Sequence, residues 1–426
     1  MLFISRLFTR SLAFALLLVP LAGGVSAESI RDVSSEVCAN CHKDIYKQWK
    51  GSMHAQSTAL KDPIHATFYK NVVGDPLKEG VKMKNGKFPV CLQCHAPNAA
   101  LEKKTKLDTK ASYSEGVNCI ACHSLTKFKG TDAPGGKMRL GMMAYETSNT
   151  TLQGPAGFNR GLQELTAGGD MFGGAGGDED SKPNPHLGEG VTLDGKEIPS
   201  LPMASNTGLM RTNAACMGCH DKRNNSHGVP LCATGNEYMV SKSDVTCQYC
   251  HMPMVNNEAD HSMGGGHDGG MLRRSIVFTM DTEQAGDKLK ISANLKNQQP
   301  HALPTGAPFR NIVFKLMAYD DQGELVWESS PNHPAKDDPQ AYFAYLLADD
   351  AGKNAMPPKA TQLGADTRLR PHETRTLGYE IPAAGVALVR GEVHYNLLWK
   401  VLVDNFKHLP QDLRDSQVIA VQEARL

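Results

Sequence analysis

The sequence predicts two successive architectures: a mainly α-helical and irregular part organised around repeated cysteine–histidine segments, then an antiparallel β-sandwich-like domain. Two observations carry this expectation. The pattern C-x-x-C-H occurs five times, at residues 38–42, 91–95, 119–123, 216–220 and 247–251, so every occurrence lies before residue 252. After Leu272 the texture changes to short runs of alternating apolar and polar residues separated by turn residues.

Cysteines three apart on a helical turn lie on one side of it. The thiols of Cys38 and Cys41, Cys91 and Cys94, Cys119 and Cys122, Cys216 and Cys219, and Cys247 and Cys250 can therefore each bond the two vinyl groups of one porphyrin. The next residue, His42, His95, His123, His220 or His251, then presents its imidazole to the iron. Five covalently attached c-type haems follow as the expected cofactors, with these five histidines as proximal iron ligands and the whole first part wrapped around the porphyrins. Zinc knuckles or redox dithiols also use C-x-x-C, but neither requires a histidine after every pair. Cys232 is the one cysteine left over and reads as a buried inert thiol.

The amino terminus fits a protein whose haem is attached after export. Arg6 and Arg10 precede an apolar run at residues 11–23, and Val25-Ser26-Ala27 is a small-residue cleavage site, so residues 1–27 read as a signal peptide. The run is too short for an ordinary spanning helix, and nothing later is long and apolar enough to cross a membrane. A periplasmic location, or release beyond it, is expected.

Composition separates the remaining parts. Residues 28–153 hold three motifs, 154–200 form a Gly-rich linker, 201–271 hold two motifs, and 272–426 form the β domain. Aromatic residues are only 6% of the chain, as expected if porphyrins supply much of the apolar interior. The formal net charge of zero gives no electrostatic support to a nucleic-acid partner. Residues 43–129 are lysine-rich without arginine, with Lys82, Lys84 and Lys87 and then Lys103, Lys104 and Lys106 clustered. That face reads either as solvated surface near haem propionates or as a dock for an acidic redox partner. The acidic tract at residues 178–180 lacks a recognisable calcium-ligand spacing.

Residues 44–60 carry Ile45, Trp49, Met53 and Leu60 on related faces without proline, which predicts a helix ended by Asp62-Pro63. In the C-terminal part, Leu289, Ile291, Ala293 and Leu295 alternate with polar neighbours. Residues 312–316 and 325–327 flank a turn at 320–323, and residues 374–403 are again strand-rich. The aromatic patch at residues 342–345 reads as core or lid.

Each haem iron has a second axial position, and its occupant decides function: a second protein ligand closes the site for electron transfer, whereas an open position admits a substrate. Sixteen histidines, five of them in motifs, leave eleven for these positions. Residues 38–57, CANCHKDIYKQWKGSMHAQS, and the segment EGVNCIACH at 115–123 resemble the cytochrome c-554 family, electron carriers that serve hydroxylamine oxidoreductase. In that family the histidine of W-x-x-x-x-H is an axial ligand to a different haem, so the resemblance assigns that role to His54, four residues beyond the lysine that follows Trp49. The likeness is specific over residues 36–123. A fifth motif and an added C-terminal domain depart from it, which leaves the partner and haem order open.

Four further histidines are candidate distal ligands. His267 and His261 lie in the Gly-rich H-S-M-G-G-G-H segment after the fifth motif; His301 lies in P-H-A-L-P-T-G, an element similar to one in multihaem cytochromes; and His186 follows the Gly-rich loop. His65 and His227 stand behind these. Met252 and Met254 beside the fifth motif read as packing residues.

Three functions fit. The first is an exported respiratory electron carrier with mostly bis-histidine haems, exchanging electrons with partner proteins. The second is an oxidoreductase acting on a small nitrogen or sulfur compound at a five-coordinate haem, although no C-x-x-C-K motif is present. The third is a subunit of an extracellular conducting filament. Replacing Cys38 with Ala leaves the first porphyrin with a single thioether; intact mass under denaturing conditions is expected to show a fraction lacking one porphyrin, and an unchanged mass distribution would contradict covalent attachment there.

Overall fold

A computed structural model of the chain describes residues 29–156, 184–256 and 258–426. The signal-peptide expectation and most of the Gly-rich linker, residues 157–183, lie outside these.

The first part is built of short helices and turns. Each motif occupies one helical turn: the His42 amide donates to the Cys38 carbonyl at 2.8 Å and the His95 amide to the Cys91 carbonyl at 3.0 Å. The other three motifs lie in helices Cys119–His123, Ala214–His220 and Cys247–His251. In every case the first cysteine, the second and the histidine share one side of the turn.

The helix expected over residues 44–60 is broken in two, Lys43–Lys50 and Met53–Gln56. Gly51 ends the first segment, and Ser52 restarts the chain by accepting the Ala55 amide on its hydroxyl at 3.3 Å. The Asp62-Pro63 restart is found as expected: Asp62 caps helix Pro63–Val72 by accepting the Ile64 amide at 2.9 Å. Across the linker, Leu152–Gly154 pairs in parallel with Met203–Ser205, which ties the three-motif part to the two-motif part.

The C-terminal part contains nine main strands. They are β1 (Ile276–Ala285), β2 (Lys288–Asn297), β3 (Asn311–Tyr319), β4 (Leu325–Glu328), β5 (Tyr342–Ala348), β6 (Gln362–Asp366), β7 (Thr374–Pro382), β8 (Leu388–Asn396) and β9 (Gln417–Arg425). One sheet runs β1-β2-β7; the other runs β6-β5-β3-β8-β9, with β4 also pairing β3, and all these pairings are antiparallel.

The alternation read in the sequence is realised in β2, where Leu289, Ile291, Ala293 and Leu295 face inward. They meet Phe278, Ile312, Phe314, Leu316, Val389 and Val393 in one core shared by the two sheets. The aromatic patch resolves as core, with Phe343 fully buried on β5. Strand β9, which the sequence reading did not anticipate, adds an edge to β8.

The two parts are bolted together. Phe68, on helix Pro63–Val72, stacks on Phe309 with ring centroids 5.1 Å apart, and Glu237 pairs with Arg368 at 2.7 Å with both side chains largely buried. Glu237 also accepts the Ala302 amide and the Thr305 hydroxyl, fixing the loop that follows β2. Replacing fully buried Phe314 with Ala should cost about 3–5 kcal/mol of stability, through lost burial and the cavity left behind. Denaturant titration of the β-domain signal checks this, and a cost under about 1 kcal/mol would contradict Phe314 as the centre of the shared core.

Candidate metal centres

Two imidazoles bound to opposite faces of one metal have ring centroids about 6 Å apart, because each metal–nitrogen bond is about 2 Å long. Four of the five motif histidines have a second histidine at this separation. The pairs are His42 with His186 at 6.0 Å, His54 with His220 at 5.9 Å, His123 with His261 at 6.5 Å, and His251 with His301 at 6.4 Å. Three of the pairs have ring planes within 28° of one another, and the His54–His220 planes cross at 71°.

A metal-binding imidazole must be neutral, with a proton on one nitrogen and a lone pair on the other, and a hydrogen bond from the protonated nitrogen sets which is which. The chain provides that bond repeatedly. Nδ1 of His123 donates to the Gln153 carbonyl at 2.8 Å, His251 to Gly264 at 2.7 Å, His186 to Leu201 at 2.8 Å, His261 to Ala259 at 2.7 Å and His301 to Ala302 at 3.0 Å. In each case Nε2 is the nitrogen left for iron. Burial lowers the pKa of His42, His95, His123, His220 and His301 below the ordinary imidazole value, and takes His54 down to about 3. The rings are thus held in the neutral form that iron takes. The residues present fit the haem irons their motifs imply.

His54 is positioned by the two sequence segments that carry the family resemblance. The Val117 amide donates to the His54 carbonyl at 2.9 Å, and the Trp49 indole N–H donates to the Val117 carbonyl at 2.8 Å. Gly116 passes so close that a Cβ there would lie 2.3 Å from the His54 carbonyl oxygen, and its φ of +76° also favours glycine. Glu115 anchors helix Ser35–Cys38 by accepting the Ser35 amide at 2.9 Å.

The remaining motif histidine, that of the second motif, differs. His95 lies beside His65 with ring centroids 4.0 Å apart, too close for a metal between them, and both Nδ1 atoms donate to the same Ser57 carbonyl, at 3.0 and 2.8 Å. His65 is 8% exposed, and its Nε2 is buried without a hydrogen-bond partner. Burial takes its pKa down to about 4.

Of the sequence candidates, His54, His186, His261 and His301 therefore face motif rings. His267 departs from the expectation: among the described residues its ring pairs with no motif ring, and burial is the main cause that takes its pKa down to about 4. His65 was not among the leading candidates. The signal available for it was the Asp62-Pro63 helix start, which sets His65 in the first turn next to Ser57.

The motifs adjoin one another in an order unlike their order in the chain. The Cys119 amide donates to the hydroxyl of Ser35 on helix Ser35–Cys38, Cys94 and Cys219 line one cleft, and the Cys247 amide donates to the Asn213 side chain, which precedes helix Ala214–His220, at 2.7 Å. Tyr145, paired with Phe128 just beyond the third motif, donates its hydroxyl toward the Ala214 and Ala215 carbonyls of the fourth-motif helix at 2.9 Å. The fourth motif thus neighbours the second, third and fifth, and the first neighbours the third.

Repeated haem motifs, ring pairs at one metal's width and an appended β domain define a multihaem c-type cytochrome. Residues 37–124 match the family described as cytochrome c554 and c-prime. A search of curated proteins gave no match. Among solved structures, a penta-haem cytochrome c552 from Thermochromatium tepidum is 56% identical, with a TM-score of 0.88, covering 94% of this chain and 100% of its own. The chain belongs to this family of penta-haem c-type cytochromes.

Proposed function

We propose that the chain is an exported electron carrier of a respiratory pathway, working in the periplasm, in which four haems are held between two imidazoles each. The observation that carries this reading is the set of four ring pairs at 5.9–6.5 Å. The protein is a multihaem electron-transfer cytochrome with five covalently bound c-type haems. When bound, these supply one-electron exchange at iron.

The chain's own residues set the rest. Cys38, Cys41, Cys91, Cys94, Cys119, Cys122, Cys216, Cys219, Cys247 and Cys250 hold the porphyrins, and His42, His95, His123, His220 and His251 bind iron from one face. His186, His261, His54 and His301 bind from the other face at the first, third, fourth and fifth motifs. The adjacency of the motif segments favours a path from the first motif through the third to the fourth, with the second and fifth branching from the fourth.

The redox partner that fits is acidic. Lys82, Lys84, Lys87, Lys103 and Lys104 are exposed on two loops joined where the Glu79 carboxylate accepts the Thr105 and Lys106 amides, and the first of these loops leads directly into the Cys91 motif. Among the described residues no helix is long and apolar enough to cross a membrane.

One observation favours a second reading. With His65 beside His95 rather than across from it, no histidine among the described residues stands at a metal's width from the second motif's ring, a position that a small nitrogen or sulfur compound would take at that iron. EPR of the oxidised protein separates the readings. We expect low-spin signals integrating to four haems and one high-spin haem that changes on adding nitrite or hydroxylamine. More than one high-spin haem would overturn the ring-pair assignment. Five low-spin haems would remove the second reading, and consumption of nitrite at the expense of a reduced viologen would establish it.

A further inference from the structure

Ser57 closes the short helix Met53–Gln56 that carries His54, and each of its polar groups meets a histidine. Its amide and its hydroxyl both face the His54 carbonyl, at 3.4 and 3.0 Å, and the same hydroxyl lies 3.0 Å from the His95 carbonyl. Its own carbonyl accepts Nδ1–H from His95 at 3.0 Å and from His65 at 2.8 Å. His95 is the second motif's ligand and His54 faces His220 of the fourth motif, so one residue stands between the ligands of two haems. Gly116 encloses it on one side: a Cβ there would lie 2.7 Å from the Ser57 hydroxyl oxygen and 3.2 Å from its amide nitrogen.

The hydroxyl has one proton for two carbonyls. The His54 carbonyl also accepts the Val117 amide at 2.9 Å, whereas among the described residues no backbone amide donates to the His95 carbonyl. The Ser57 hydroxyl is therefore the donor that holds the His95 backbone, and it does so from the His54 turn. At the Ser57 carbonyl two N–H donors meet one oxygen, and each receives a weaker bond than it would alone. A weaker Nδ1–H bond leaves a ligating imidazole less basic and favours ferrous iron. We propose that Ser57 is a positioning residue shared by the second and fourth haems, its hydroxyl tying the His95 and His54 backbones together, and that His65, by drawing on the same carbonyl as His95, raises the reduction potential of the second haem. This rests on the ligand reading above and gives His65 a task that the electron path does not otherwise assign it.

EPR-monitored redox titration of the mature, haem-loaded chain reads the two sites separately. The His54 and His220 planes cross at 71°, against 28° or less in the other three pairs. Crossed imidazole planes leave two iron π orbitals nearly degenerate, so spin–orbit coupling gives the fourth haem the largest maximum g value of the low-spin set, while the second haem is the high-spin one. Ser57→Ala should shift both of these signals and leave the other three in place. A shift at neither, at only one, or at all five would overturn the shared role. His65→Phe keeps a ring but removes its donor: the wave of the second haem should fall by about tenfold in equilibrium constant, about 59 mV for one electron, with the large-g signal unchanged. An unchanged or raised wave would overturn the role of His65, and a low-spin haem turned high-spin by the same change would do so by making His65 an iron ligand. If Ser57→Ala loses haem, the His65→Phe wave decides. Failure of the ligand reading is separate: it shows in the unmodified protein, as a different number of high-spin haems, and the count of two moved signals in Ser57→Ala still tests the shared role.

Discussion

The arrangement depends on neutral imidazoles whose protonated nitrogen is already committed. A ring that donates Nδ1–H to a backbone carbonyl cannot rotate or exchange tautomers without losing that bond, so its Nε2 lone pair has a fixed place. Three motif rings, His95, His123 and His251, are anchored this way, and so are His186, His261 and His301 among their partners. Burial reinforces the same state by disfavouring the charged ring. Short helices, capping turns and the Gly116 close approach are the means by which the chain delivers carbonyls and rings to these positions.

The β domain takes part in the same scheme. Its two sheets close a conventional apolar core around Phe314 and Leu316, which makes it a rigid support independent of porphyrin. From that support the loop after β2 carries His301 to His251, and Glu237 locks the loop through the Ala302 amide, the Thr305 hydroxyl and Arg368. The largely buried Glu237–Arg368 pair spans the two parts, and breaking either partner would leave the other charge stranded. In the first part, by contrast, the apolar clusters are small and rich in alanine, such as the group of Ala59, Ala96, Ala99 and Ala100 around Tyr69 and Tyr113.

Much of this was legible in the sequence because it is local. C-x-x-C-H turns, the Asp62-Pro63 helix start and the alternation of Leu289, Ile291, Ala293 and Leu295 need only a few neighbouring residues. His54, His186, His261 and His301 could be named because each sits in a distinctive segment. What stayed hidden depends on distant contacts. The His54 carbonyl is held by the Val117 amide from a distant segment, and His65 meets His95 where both reach the Ser57 carbonyl. His267 looked like its neighbour His261 in one Gly-rich segment, yet of the two only the His261 ring meets a motif ring among the described residues. The order of the motifs in space comes from contacts such as the Cys119 amide with the Ser35 hydroxyl, which no spacing rule encodes.

Diffraction from crystals of the mature protein at the iron absorption edge addresses the central claim most directly, since it places each iron relative to its imidazoles. Five iron peaks are predicted, four lying between the rings of His42 and His186, His123 and His261, His54 and His220, and His251 and His301, and the fifth bonded to His95 but not to His65. An iron bonded to His267, a peak bridging His95 and His65, or a ring pair with no iron between its members would contradict it.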